Sequence, residues 1–245
     1  MTIDDLTRFL FFDIETVRST HTWEDLSEKW QHLWAQKAAT FPEFKQGTAT
    51  AEQLYLEKAG IFAEFAKIVC ISFGRIDSFK NENQETSYKI SLKAIQNHDE
   101  NQLLKETCTL LTSFFDRNIN LLAGHNIKEF DIPFLARRLL VQSEPLPPQI
   151  QQLRGRSKFE NKHLDTLELW RFGDYKNYTR LDLIAACLGI DSPKNDIDGS
   201  QVGEVYWSEN NLARISDYCT SDVEATVQIA LRLFGHNIID NVERK

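Results

Sequence analysis

Residues 8–14 (RFLFFDI) are a short apolar run, rich in aromatics and without helical spacing, the pattern of a buried strand. Residues 67–74 (KIVCISFG) and 88–92 predict two further strands, joined by the polar stretch 77–87, which reads as a hairpin loop. Leu103, Leu104, Leu110, Leu111, Phe114 and Phe115 recur at helical spacing and predict a helix over 98–118. Residues 119–123 are the next strand, ended by Gly124-His125-Asn126, and 129–141 the next helix, with Pro133 tolerated in its first turn. After a loop marked by Pro145, Pro147 and Pro148, helices are expected over 181–188 and 212–234. Between them lies the turn-rich stretch 191–199, with Pro193 and Gly199. Three early strands followed by alternating helix and strand predict an α/β fold, a mixed sheet flanked by helices, in one domain over 1–245.

Residues 18–66 stand apart from this scheme. Trp23, Trp30 and Trp34 fall at i, i+7 and i+11, one face of a helix, and a second helix is expected over 51–59. The region reads as a helical insertion after the first strand, packed on the sheet. A lid over a substrate is the alternative, since long excursions between elements often carry function.

Composition narrows the classes. Hydrophobic and charged contents of 42% and 26% are those of a globular protein. No apolar run approaches the roughly 20 residues of a membrane span, and Asp4 and Asp5 argue against a secretory leader. Cys70, Cys108, Cys187 and Cys219 form no CxxC pair and read as reduced packing thiols of a cytoplasmic protein. The six histidines make no HExxH pattern, which disfavours zinc. A net charge of −8 argues against a broad basic face for duplex nucleic acid. It leaves room for an enzyme that grips a few nucleotides at one strand end.

Three fragments carry candidate chemistry. In a strand, Asp13 and Glu15 project to the same face, and two carboxylates so close repel unless a cation lies between them. Hard oxygen ligands suit Mg²⁺ or Mn²⁺. Asn126 and Asp131 sit at a strand-to-helix junction, where turn formation and helix capping explain them equally well. Tyr218 and Asp222, at i and i+4, share a helix face, as many unrelated residues do. Each fragment alone is ambiguous.

Their order is more telling. FFDIET, GHNIKEFDIPFL and YCTSDVEAT resemble the three motifs of the DEDD exonuclease superfamily in its tyrosine branch. The chain resembles the proofreading exonuclease of family B DNA polymerases, and more closely the stand-alone polymerase-B-like exonucleases. The likeness runs over about residues 8–235, and the segment LDLIAACLGI…SPKNDIDGSQV resembles the stretch before the third motif. It implies a ribonuclease-H-like sheet with the acids meeting at one edge, and 3′→5′ hydrolysis of single-stranded nucleic acid, DNA favoured, with two divalent cations. By position, Asp13 bridges both ions, Glu15 and Asp222 complete one site, Asp131 serves the other, and Tyr218 orients the attacking water. The branch that uses histidine would place it at Asp217, so Tyr218 decides the branch.

Asn126 and Lys128 are candidate contacts to the terminal nucleotides, Lys194 a candidate phosphate ligand, and Asp165 a candidate support for the metal ligands. Residues 154–180 carry seven basic and four acidic residues, interleaved with Trp170, Phe172, Tyr175 and Tyr178. That mixture suits stacked bases and a phosphate backbone, or equally an aromatic core under a solvated face. The expected partners are a strand 3′ end and a polymerase or repair protein of unknown identity, and the expected state is a monomer. The competing readings are a catalytically silent nucleic-acid-binding protein of the same fold and a phosphoester hydrolase of small nucleotides.

Overall fold

The computed structural model describes residues 1–115, 121–174, 176, 178–190 and 197–245. Six strands form one mixed sheet: β1 (Phe9–Arg18), β2 (Ala66–Lys80), β3 (Thr86–Gln96), β4 (Leu121–Gly124), β5 (Leu164–Asp165) and β6 (Val242–Arg244). Their order is β5-β4-β1-β2-β3-β6. β1 and β3 run antiparallel to β2, whereas β4 is parallel to β1, β5 to β4 and β6 to β3. The expected α/β architecture, a ribonuclease-H-like sheet flanked by helices, is present.

β1 is covered on both faces. Leu10, Phe12 and Ile14 join a core with Leu103, Leu104 and Phe134 from the Glu100–Phe115 and Asp131–Val141 helices. Phe9 and Phe11 join a second core with Val223, Val227 and Leu231 of the Leu212–Leu233 helix. A strand buried on two sides needs apolar residues at successive positions, which is why its sequence does not alternate. Each large side chain so buried contributes roughly 1.5–3 kcal/mol. Gly74 lets the last helix approach: a Cβ there would lie 2.7 Å from Val223 Cγ1.

The β2–β3 hairpin is longer than the sequence predicts, pairing from Cys70↔Gln96 to Lys80↔Thr86. Its tip, 78–80 with Thr86, is exposed and mostly polar, so there only the backbone ladder marks it as sheet. The two-residue β5, the three-residue β6 and the six-residue helices Thr166–Arg171 and Val202–Trp207 were not expected; elements so short show no period. The expected ends of helix 98–118 and strand 119–123 overlap residues 116–120, which lie outside the described residues, as do Tyr175, Pro193 and Lys194.

The 18–66 region forms helices at Glu28–Ala38 and Ala51–Lys58 around a core of its own, with Trp34, Leu54 and Tyr55 fully buried. Trp34 Nε1 donates to the Ala51 carbonyl at 2.7 Å, and the Tyr55 hydroxyl meets Thr20 Oγ1 at 2.8 Å. The single-helix expectation for the three tryptophans is corrected. Trp23 precedes the helix, because Asp25 accepts from the Thr22 N–H and hydroxyl and ties that stretch into a turn. Trp30 is on the helix but exposed. Among the described residues no helix is long and apolar enough to cross a membrane, and all four cysteines are free.

Candidate active site

Asp13 and Glu15 follow Phe9 and Phe11 on the face of β1 that the last helix covers. A β-bulge between Glu15 and Thr16 shifts the register against β2, from Glu15↔Cys70 to Thr16↔Ile68, directly beside Glu15. Bulges bend a strand and re-aim side chains.

β4 pairs with β1 only over Phe9–Phe11, so beyond that point the edge of β1 is open. Asp131 fills it: its Oδ1 accepts the Ile14 N–H, between the two β1 acids, at 3.1 Å. The turn that delivers Asp131 needs Gly124, whose Cβ would lie 2.8 Å from Ile127 and 2.9 Å from the Phe12 carbonyl. It also needs Asn126, held at φ 59, a left-handed conformation that asparagine tolerates better than most residues. From the last helix come Tyr218 and, one turn on, Asp222. The Tyr218 hydroxyl donates to the Asp222 carboxylate.

These five side chains line one cleft of about 910 Å³, together with His125, Asn126, Phe130, Tyr178 and Arg180. No residue of 18–66 lines it, so the insertion is packed beside the sheet and is no lid in this structure.

Electrostatics set the cleft apart. Burial, then Asp131 and Asp222, push the Asp13 carboxyl well above the ordinary range. Burial, then Asp13, does the same to Glu15. Asp131 is pushed up to about 7, chiefly by burial and against the help of its backbone hydrogen bonds. Burial lifts Asp222 to about 6, opposed by the Tyr218 hydroxyl. The same carboxylates and burial hold the Tyr218 phenol firmly protonated. Among the described residues no lysine or arginine forms an ion pair with Asp13, Glu15 or Asp131. A buried set of hard oxygen donors without counter-charge fits divalent cations such as Mg²⁺ or Mn²⁺.

The sequence reading missed two contributors, Cys219 and His125, and named a third, Asp165, as a candidate support for the metal ligands. Cys219, expected as plain packing, has its Sγ 3.5 Å from both the carbonyl and Oδ2 of Asp13. Ligand atoms of Asp13, Glu15 and Cys219 lie within 4.8 Å of one another. His125 Nε2 donates to the Thr179 carbonyl at 3.2 Å while Nδ1 meets the Thr166 hydroxyl at 3.0 Å; burial lowers its proton affinity. This histidine ties the segment bearing Tyr178 and Arg180 to the cleft floor. Asp165 touches none of the other carboxylates. It accepts the N–H groups of Asn126 and Lys128 at 3.0 and 3.2 Å, and caps the Thr166–Arg171 helix through Leu167 and Glu168. A single bracing side chain leaves no periodic trace in sequence; Asp165 before a helix is the one signal of the three.

Asn126 reaches the cleft; Lys128 does not. The Lys128 ammonium is bound by Glu168 at 2.7 Å and is largely buried, because Asp165 anchors the Lys128 backbone beside the helix that carries Glu168. Of the basic residues in 154–180, Arg180 lines the cleft, with Nε 3.4 Å from Asp182, and Lys158 pairs with Glu129. Trp170, a candidate stacking ring, packs instead against the small core around Leu167 and Ile229.

Residues 61–238 match the model of a family described as predicted 3′–5′ exonucleases related to the exonuclease domain of PolB. No curated protein matches the sequence. The fold is similar to that of the family B DNA polymerase from the hyperthermophilic archaeon Pyrobaculum calidifontis, with a TM-score of 0.55 and 16% identity. The likeness covers 92% of this chain and 24% of the polymerase. Identity so low speaks to the fold alone.

Proposed function

We propose, on the premise that this chain belongs to the family of predicted 3′–5′ exonucleases related to the exonuclease domain of PolB, that it removes nucleotides from the 3′ end of single-stranded nucleic acid, DNA favoured. The observation that carries this reading is the convergence of Asp13, Glu15, Asp131, Asp222 and Tyr218, from three distant segments, on one cleft. A fold alone does not call for five such groups together, which weighs against a silent binding protein.

Asp13, Glu15, Asp131 and Asp222 are the residues that would hold two divalent cations. Bound there, the ions lower the pKa of an attacking water and offset charge on the departing 3′ oxygen. Tyr218, kept protonated and anchored on Asp222, offers its hydroxyl to orient the water. Arg180, the cationic side chain on the cleft wall, suits a substrate phosphate, and Asn126 offers its amide to the terminal nucleotide. All of these roles fall within one exonuclease domain.

The test is degradation of a 5′-labelled single-stranded oligonucleotide, as DNA and as RNA, with Mg²⁺, Mn²⁺ or chelator. The expected result is a metal-dependent ladder shortening from the 3′ end and absent in Asp13→Ala. Tyr218→Phe should retain metal binding and turn over about 10- to 100-fold more slowly. Metal-dependent cleavage by Asp13→Ala at the wild-type rate would refute the assignment.

A further inference from the structure

Phe172 is 90% exposed, far beyond any other large apolar side chain described. It closes the Thr166–Arg171 helix at φ 44 and ψ 35, a left-handed conformation that bulky residues adopt only at a cost. Glycine is the usual residue at such a position, and here Gly173 follows one place later, at φ 88. Two penalties, a strained backbone and an apolar ring in water, thus fall on one residue.

Its position suggests what does. The helix that Phe172 ends begins at Asp165, whose carboxylate braces Asn126 on the cleft floor. Phe172 stands at the far end of that helix, seven residues along the chain from Asp165. On the same connection Tyr178, 59% exposed, lines the cleft with its ring edge-on to His125 at 6.3 Å. Lys176 is exposed between the two rings. The enclosing stretch 154–180 carries three more basic than acidic residues in a chain of net charge −8.

We propose that Phe172 is a stacking platform for an unpaired base upstream of the 3′ terminus, with Tyr178, which lines the cleft, the ring nearer the terminus. The proposal rests on the exonuclease reading of the cleft and deepens it by naming a residue that grips the strand beyond the cleft. The strand must bring unpaired nucleotides past the cleft, of any sequence, because every base offers a π-face and a base inside a duplex already has both faces occupied.

The test compares wild type, Phe172→Gly and Phe172→Trp, each in an Asp13→Asn background that blocks hydrolysis. The readout is fluorescence anisotropy of a 5′-labelled DNA octamer and of a dinucleotide. Phe172→Gly relieves the left-handed strain, so its melting temperature is expected not to fall while its octamer affinity drops about tenfold. Dinucleotide affinity should be unchanged, and Phe172→Trp should restore octamer binding. Equal octamer affinity in wild type and Phe172→Gly overturns the proposal, as does an equal loss for both ligands. Hydrolysis by the proteins that keep Asp13 is scored separately: absent cleavage with the octamer effect intact refutes the exonuclease reading and leaves the stacking role standing.

Discussion

Asp131 and Asp222, with carboxyls raised to about 7 and about 6, keep protons in the folded protein that an unfolded chain sheds near pH 4. Folded values above the unfolded ones mean that this contribution favours folding below about pH 4 and is lost as pH rises through 6 to 7. The metal-free protein is therefore expected to melt lower at pH 8 than at pH 5.5, and added Mg²⁺ to raise the melting temperature more at pH 8. The reverse order would mean that the carboxylates do not repel. Replacing one of them should help the fold that it burdens. Asp13→Asn is expected to melt about 2–5 °C higher than wild type in chelator at pH 8, in a protein that no longer hydrolyses. At this scale the sequence was most legible where backbone period fixes direction: Asp13 with Glu15 on a strand, Tyr218 with Asp222 on a helix. Cys219 and His125 act through hydrogen bonds to distant chain, which no local pattern announces, and of Asp165 only its place before a helix was legible.

Among the elements, the turn from Gly124 to Asp131 depends most on the rest of the protein. Its glycine and left-handed Asn126 could be read as a turn, but the brace that fixes its shape comes from Asp165, 39 residues beyond Asn126. Asp165→Asn exchanges a carboxylate that accepts four N–H groups for an amide with one acceptor oxygen. We expect it to cost about 1–3 kcal/mol in stability and to raise KM for an oligonucleotide through Asn126, with metal-induced stabilisation preserved. A melting temperature equal to wild type would show that the brace is dispensable. The long helices and the central strand were legible because both faces of β1 and one face of the last helix must be apolar. β5, β6 and the outer hairpin were hidden, being short or held by backbone bonds alone. The helical insertion was legible as a region but not in its detail, since its tryptophans serve one small core from different segments.

For the whole molecule, a chain of net charge −8 whose cleft is lined by a single arginine, Arg180, should bind single strands with a shallow salt dependence. Each neutralised phosphate contributes about −0.7 to the slope of log affinity against log salt. Two or three such contacts, with Arg180 and Lys176 the candidates, give a slope of about −1.4 to −2.1, measurable by anisotropy across salt concentrations. A slope steeper than about −4 would mean that more phosphates are neutralised than these contacts account for. The way the cleft is shared along the chain has a consequence for synthesis. A ribosome making this protein produces Asp13, Glu15 and Asp131 early, while Tyr218 and Asp222 belong to the Leu212–Leu233 helix, which also seals Phe9 and Phe11. Until that helix emerges and docks, the nascent polypeptide holds neither a finished core nor a finished cleft. The proposed hydrolysis thus begins only after translation has passed the last helix.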